Sequence, residues 1–210
     1  MKKTSFAKNA VISLFLIFSI NGVFSADFKT VFSLSPQITI NQDKEGAPSP
    51  IQTGLGIGFE VPIVKDFIIT PHFTFTTNYY LQKNDKVLPA EIENRTVLAP
   101  TLMLDIPFGY KIHIKNFAIT PKLGAGTLLR YGFLAFGISE QEKTSLDFIN
   151  QSFYKDLAWL YPMAEIDFDF FIKEKMWAGF GVKYYLPLKE VLKGETLQNS
   201  IFALQFRFAF

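Results

Sequence analysis

Several residue types and patterns are absent or rare in the sequence, and each absence excludes a class of structure or function. The 210 residues include no cysteine, which excludes disulfide bridges, a lipid anchor on an N-terminal cysteine and thiolate chemistry. Histidine occurs only twice, so at most two imidazole groups are available to a catalytic or metal-binding site. After residue 26 no apolar run reaches the length of about 20 residues that a spanning helix needs. The net charge of +2 provides no basic excess for nucleic acid, and no such partner is expected.

The N-terminal segment has the composition of a secretory signal. Lys2, Lys3 and Lys8 precede an apolar stretch over residues 10–20, and the compact Val23 and Ser25 suit the −3 and −1 sites of a signal peptidase. An apolar stretch of about eleven residues is too short for a spanning helix, which disfavours the alternative of a signal anchor. We therefore predict a cleaved signal peptide over residues 1–25 and a single domain over 26–210, exported to the bacterial outer membrane.

Aromatic residues are abundant and follow a two-residue period. The chain contains 24 Phe, and the pattern is clearest at the C-terminus, where Phe202, Leu204, Phe206, Phe208 and Phe210 alternate with Ala203, Gln205, Arg207 and Ala209. Such alternation is typical of a strand with one apolar and one polar face.

The same period recurs in eight segments of the mature chain. They cover residues 32–41, 51–61, 67–79, 98–106, 117–131, 160–170, 176–185 and 202–210. Most have about ten residues, which lets a tilted strand cross a bilayer. The connections alternate between short (64–66, 109–116, 172–175) and long (42–50, 81–95, 132–155, 187–199). The pattern predicts an all-β fold, an eight-stranded antiparallel up-and-down transmembrane β-barrel.

The composition of the two faces indicates which one is outside. One face carries mainly Phe, Leu, Ile and Tyr, and the other Gly, Ser, Thr and isolated charges; this favours a membrane barrel over a lipocalin-like soluble one. Aromatic girdles are expected from Tyr79, Tyr80 and Tyr131 at the loop ends and from Phe59, Phe67, Phe108, Phe117 and Phe170 at the turn ends. Pro36, Pro71, Pro100, Pro121 and Pro162 fall inside strands and predict bulges or shifted boundaries.

With these features the chain resembles the small eight-stranded outer-membrane proteins of the OmpX, OmpW and OmpA-transmembrane type. The resemblance implies a monomer without a cofactor that contacts outer-membrane lipid. It further implies a non-enzymatic role in membrane integrity or in limited passage of small hydrophobic solutes. The C-terminal strand with Phe202, Leu204, Phe206, Phe208 and Phe210 looks like the sorting signal read by the barrel-assembly machinery.

Charged residues fall on the face assigned to the interior. They are Glu60, His72, Asp105, Lys122, Arg130, Glu165, Asp167, Asp169, Lys183 and Arg207. Because a charge in a narrow interior is costly unless paired, the first expectation is a salt-bridge network that fills the barrel. The alternative is a charged lumen that gates a small solute. No metal-ligand cluster is apparent.

The sequence also leaves two other functions open, adhesion to a surface partner and modification of lipid. The long segment 132–155 is unusually apolar and is expected to extend strands five and six as a wall, which would suit a surface partner or adhesion. A lipid-modifying enzyme would need a Ser-His-acid constellation. His113 falls in a turn, and no serine is expected at the depth of His72, so the enzyme is disfavoured. Gly54, Gly56 and Gly58 are interpreted as small inward residues that make room for bulkier neighbours.

Overall fold

The computed structural model describes residues 28–40, 50–83, 85–90, 97–134, 140–173, 176–194, 197 and 199–210. The predicted signal peptide, residues 1–25, lies outside the described residues, so its assignment stays a prediction.

Twelve strands form one sheet. They are β1 (Lys29–Thr39), β2 (Ile51–Val64), β3 (Phe67–Ile69), β4 (His72–Lys83), β5 (Lys86–Ala90), β6 (Val97–Tyr110), β7 (Ile112–Ile114), β8 (Phe117–Arg130), β9 (Phe133–Leu134), β10 (Leu160–Lys173), β11 (Met176–Tyr185) and β12 (Ile201–Ala209). All eight predicted segments are strands, and several extend beyond the predicted bounds. The short strands β5, β7 and β9 lengthen the hairpins of the main wall.

The wall closes on itself as an antiparallel barrel. Strand β1 pairs with β2 on one side and with the last strand, β12, on the other. The remaining walls follow in chain order through β4, β6, β8, β10 and β11. The predicted eight-stranded antiparallel barrel is confirmed. Every strand except the short extensions therefore has partners on both edges.

The prolines are accommodated where pairing ends. Pro71 separates β3 from β4 and so interrupts the third wall strand, as a residue without an N–H would. Pro100, Pro121 and Pro162 stay inside strands, and each lies one residue beyond the last pair of one of its two ladders. Pro36 also stays inside β1, opposite Thr53, and there the β1–β12 ladder skips Ser35 and Pro36 and resumes at Gln37 in the same register. The expected bulge is therefore wrong for these four. Staggered strand ends provide local edges for three of them, and a gap in one ladder accommodates Pro36.

Large apolar side chains cover the outside of the wall. On β12, Phe206 and Phe208 are 52% and 51% exposed, whereas the intervening Arg207 is 5% exposed. Tyr131 is exposed at the loop end, and Phe67 is exposed at the turn end. Tyr80 was expected in the outer girdle, but it points inward and is buried. A soluble barrel would bury these aromatic rings, so the arrangement is that of a membrane barrel.

The loop end carries helices that the two-residue period did not predict. Helix α1 spans Glu140–Ser152, a 3-10 turn spans Lys155–Leu157 and helix α2 spans Leu188–Lys193. The expected extended wall over 132–155 is therefore wrong. Ile149 and Phe153, four residues apart on one helical face, are buried against Tyr80, Val97 and Ala99 rather than exposed. None of the described helices has the length and apolar character needed to span a membrane.

Candidate functional site

The interior of the barrel is built in layers along its axis. At the turn end Trp177 packs with Val31 and Ala209. Next comes a group of charged side chains, here called the charge layer: Glu60, His72, Asp105, Lys111, Lys122, Glu165, Asp167, Asp169, Lys183 and Arg207, all buried. Above it lies an apolar layer of Met103, Leu128, Tyr161, Met163, Tyr185, Ile201 and Ala203. A cavity of about 520 Å³ opens at the loop end.

Within the charge layer, cations and carboxylates alternate across the lumen. Lys183 Nζ lies 2.9 Å from Asp105 Oδ2 and 3.7 Å from Glu165 Oε2. Lys122 Nζ lies 3.2 Å from Glu165 Oε1 and also pairs with Asp167. Because each of these cations contacts more than one carboxylate, the pairs form a connected network.

The network continues to the turn end. Arg207 pairs with Asp167 and lies 3.7 Å from Asp169 Oδ1. Its guanidinium carbon is also 4.9 Å from the centre of the Trp177 ring. A planar guanidinium can bind a carboxylate edge and an aromatic face at once. Arg207 thereby connects the charge layer to the Trp177 group below it.

One member of the charge layer was missed from the sequence, and one predicted member lies elsewhere. Lys111 Nζ is 2.6 Å from Glu60 Oε2, and both side chains are buried. The two-residue period ends this predicted strand at residue 106, so Lys111 falls in the predicted turn 109–116, whereas the structure continues the wall through β6 to Tyr110 and into β7 at Ile112. Arg130 points inward but sits at the loop end, next to Tyr80, and forms no ion pair with the described residues.

Little space is left beside the charges. The cavity bordered by His72, Lys122, Glu165, Lys183 and Arg207 measures about 10 Å³, which is about one water-sized probe. On the loop side Tyr185 donates to Asp105 Oδ2 at 2.5 Å and closes the layer against the apolar residues above. The described residues therefore provide no solute-sized path across the charge layer.

His72 has a serine neighbour that the sequence reasoning did not find. Ser33 Oγ lies 2.9 Å from His72 Nε2, and Asp105 Oδ1 lies 3.8 Å from Nδ1. The expectation that no serine stands at this depth is wrong, since register brings β1 and β4 together on either side of β2. The residue types are those of a hydrolytic triad, yet Nδ1 is closer to Thr74 Oγ1, at 3.1 Å. All three triad-type side chains are also buried.

The inward glycines of β2 make room for this imidazole, as the sequence indicated. A Cβ on Gly58 would lie 2.6 Å from His72 Cδ2, and one on Gly56 would lie 2.5 Å from His72 Cε1. Real Cβ atoms do not approach that closely, so neither position accepts a side chain without displacing His72. The glycine run therefore has a packing role.

The mouth cavity at the loop end has a different character. It is lined by Tyr80, Asp85, Lys86, Val87, Arg130, Ser152, Phe153, Ala158, Tyr161, Pro187, Lys189, Glu190 and Asn199. Arg130 donates from Nη1 to Tyr80 Oη at 3.0 Å and from Nη2 to the Ala158 carbonyl at 3.1 Å. Its guanidinium carbon lies 4.4 Å from the centre of the Phe153 ring. Arg130 therefore forms part of the cavity wall.

Side chains from the α1 segment fasten it over this cavity. Asn150 Oδ1 accepts from the Gly132 amide at 2.7 Å, and Asn150 Nδ2 donates to the Gly132 carbonyl at 3.3 Å. Tyr154 Oη donates to the Arg130 carbonyl at 2.5 Å and accepts from the Arg130 amide at 3.0 Å. These contacts satisfy backbone groups where the β8 ladder ends.

Within the described part of the chain, no group of three or more His, Asp or Glu side chains is placed to hold a metal ion. His113 was predicted in a turn but lies in strand β7 at the turn end, where its side chain is 54% exposed and Nε2 is 3.8 Å from Asp66 Oδ1. Its ring also stacks on Phe171 at 5.8 Å.

No protein-family model and no curated protein sequence matches the chain. Solved structures do. The outer membrane protein OprG from Pseudomonas aeruginosa is similar, with TM-score 0.51 and 11% identity over 88% of this chain and 96% of that one. The attachment invasion locus protein Ail of Yersinia pestis has TM-score 0.48 and 10% identity over 89% and 100%. The outer membrane enzyme PagL has TM-score 0.40 and 12% identity over 85% and 98%. The protein thus has the fold of the small eight-stranded outer-membrane barrels.

Proposed function

We propose that the protein is a non-enzymatic barrel of the bacterial outer membrane, and that it contributes to membrane integrity as a sealed, lipid-facing cylinder. The observation that carries the proposal is the filled charge layer, beside which a cavity of only about 10 Å³ remains. The outward Phe and Leu side chains supply the surface that lipid would contact. Passage of a solute along the whole lumen would require several buried ion pairs to break together, which is costly in a dry interior.

Conductance across a planar lipid bilayer tests the seal. We expect the folded protein to give no steady current, and a steady current from the wild type would overturn the proposal. The double variant Arg207→Ala/Asp167→Ala removes two paired side chains from the narrowest layer and should open a leak. Ser35→Ala removes only a hydroxyl from the interior and serves as the matched control. Folding of each variant is checked by the shift between boiled and unboiled samples on a denaturing gel.

The C-terminal strand is proposed to carry the sorting signal for the barrel-assembly machinery. Phe202, Phe206 and Phe208 lie exposed on the outer face of β12, and the terminal Phe210 is 63% exposed. Apolar side chains in this arrangement are accessible to a partner strand before the barrel closes. Phe210→Ala should lower the amount of folded barrel in the outer membrane several-fold, whereas Phe28→Ala, next to the start of β1, should not. Equal amounts would contradict the role.

We propose that the protein has no enzymatic activity, because the only Ser-His-acid arrangement found among the described residues is buried. Ser33, His72 and Asp105 lie inside the charge layer, away from lipid and from the mouth cavity. Lipid mass spectrometry of membranes with the wild type, His72→Ala and Ser33→Ala should give identical lipid profiles. A lipid modification that disappears in both variants would overturn this part of the proposal. Adhesion through the loops and a monomeric state stay predictions.

A further inference from the structure

Arg130 differs from the other buried cations of the lumen. Lys111, Lys122, Lys183 and Arg207 each contact at least one carboxylate. Arg130 is only 6% exposed, yet no carboxylate among the described residues forms an ion pair with it. Its guanidinium is held instead by a phenol, a backbone carbonyl and the faces of two aromatic rings. A buried charge without a counter-charge is costly, and an anion in contact with it would offset that cost.

The position of Arg130 makes such an anion accessible. The side chain lines the mouth cavity, whose volume of about 520 Å³ lies within the range of small-molecule sites. A guanidinium has five N–H groups, and the hydrogen bonds to Tyr80 and Ala158 use two of them. The terminal nitrogens therefore keep N–H groups that can bind both oxygens of a carboxylate. Phe153 and Tyr161 also border the cavity, but each is only 1% exposed, so the open space adjoins Arg130 more than it adjoins these rings.

The charged groups of the lining restrict the charge of the ligand. Glu190 is buried, and its Oε1 accepts a hydrogen bond from Asn199 Nδ2 at 2.9 Å. Asp85, Lys86 and Lys189 also line the cavity, but they are exposed or half-buried, so solvent screens their mixed charges. A second negative charge deep in the cavity would face the buried Glu190 carboxylate and be repelled. One negative charge satisfies Arg130.

We propose that the mouth cavity is a binding site for a small organic monocarboxylate, with its carboxylate on Arg130. The site does not depend on the sealed lumen proposed above, since a conducting barrel could hold the same ligand at its mouth. Failure of one proposal therefore leaves the other standing.

Binding of matched probes to the full-length barrel in lipid nanodiscs tests the site, with isothermal titration as the readout. Benzoate should bind, and benzamide, which has the same shape without the charge, should bind about tenfold more weakly or worse because a charge-assisted hydrogen bond is lost. Phthalate, with a second carboxylate, and inorganic phosphate should also bind more weakly than benzoate. Equal affinity for benzoate and benzamide, or no benzoate binding at millimolar concentration, would overturn the proposal.

Variants assign the effect to named side chains. Arg130→Gln should abolish the preference for benzoate over benzamide, and Arg130→Lys should retain it at lower affinity. Lys155→Gln changes an exposed cation outside the cavity and should bind benzoate as the wild type does. Glu190→Gln leaves Arg130 untouched and should tighten phthalate binding, which gives a second test if the Arg130 variants fold poorly. Unchanged benzoate affinity in a folded Arg130→Gln protein would contradict the assignment. Unchanged phthalate affinity in the Glu190→Gln protein would contradict it as well.

Discussion

The charge layer and the mouth cavity place similar side chains in opposite situations. In the charge layer Lys183 and Asp105 are both buried and lie 2.9 Å apart, and the surrounding space is filled. At the mouth Arg130 is equally buried, but its partners are neutral groups and open space. Both regions belong to one short lumen and differ in whether a carboxylate of the described residues is in ion-pair contact with the cation.

The difference separates a structural from a binding use of buried charge. A cation that already contacts a carboxylate gains little from a ligand, and the pair fills space that a solute would need. A cation held by hydroxyl, carbonyl and ring contacts stays in place without an ion pair, so an anionic ligand that contacts it would stabilise it. The turn half is thus suited to sealing the barrel and the loop half to holding a small anion. Substitutions in the two regions test that contrast and follow in order of decreasing effect.

Lys183→Met should be the most damaging single change in the charge layer. It leaves Asp105, which is 1% exposed, without a lysine or arginine partner. Removing one partner of a buried pair costs about 3–5 kcal/mol of the free energy of unfolding. Urea unfolding in phospholipid vesicles, followed by tryptophan fluorescence, measures the loss.

Two further variants separate charge from packing at that position. Lys183→Met/Asp105→Asn removes the orphaned charge as well and should recover part of the lost stability. Lys155→Met removes an exposed lysine and should change the free energy of unfolding by less than about 0.5 kcal/mol. If the double variant were no more stable than Lys183→Met, the charge layer would be held by packing instead of by ion pairs.

Phe153→Ala should loosen the mouth without unfolding the barrel. The side chain is 1% exposed, packs on Tyr80 with ring centres 4.8 Å apart and covers Arg130. Truncating a buried Phe costs about 3 kcal/mol or more, and here the loss falls on the docking of α1. Protease cleavage within residues 140–152 should accelerate about a hundredfold, whereas half-buried Phe148→Ala should have a much smaller effect. Unchanged cleavage would show that Asn150 and Tyr154 hold the segment without Phe153.

Gly58→Ala tests how tightly the charge layer is packed around His72. The added methyl group would meet His72 Cδ2 and the Pro71 carbonyl at 2.6 and 3.0 Å. Overpacking of this kind costs about 1–3 kcal/mol of the free energy of unfolding. Gly126→Ala is the matched control, because its nearest neighbour is the flexible Met103 Sδ at 3.1 Å. Equal effects at both glycines would mean that His72 can move aside freely.

The smallest effect is expected outside the barrel, at the contact between α2 and the 3-10 turn. Lys193 Nζ donates to Asp156 Oδ2 at 2.8 Å, and this hydrogen bond lowers the pKa of the Asp156 carboxyl below its ordinary value of 3.8. A depressed folded-state pKa means that the contact stabilises α2 above pH 3.8 and weakens as the pH falls through the lower folded value. Hydrogen exchange of α2 amides should therefore rise in that acidic range. The rise should be absent in Asp156→Asn.

Much of this architecture could be predicted from local pattern. The two-residue period located all the wall strands, because alternation of side chains is a property of each strand by itself. It also assigned the inward charges, including Lys183 and Asp105, to the correct face. The same period had no information on helix α1, and it misplaced Tyr80, whose neighbour Tyr79 fits the outer girdle equally well in the sequence.

The strands, their two faces and the presence of charge inside thus follow from local sequence pattern. Which charges meet depends on how the barrel closes. Lys183 and Asp105 are 78 residues apart in the chain. Their contact depends on the stagger of strands around the closed barrel, and alternation within a single strand carries no information about that stagger. The same stagger places Arg130 at the mouth, away from the carboxylates of the charge layer. Two charged side chains can pair only if they lie at similar depths along the barrel axis. Those depths are fixed only when the last strand pairs with the first and the barrel closes.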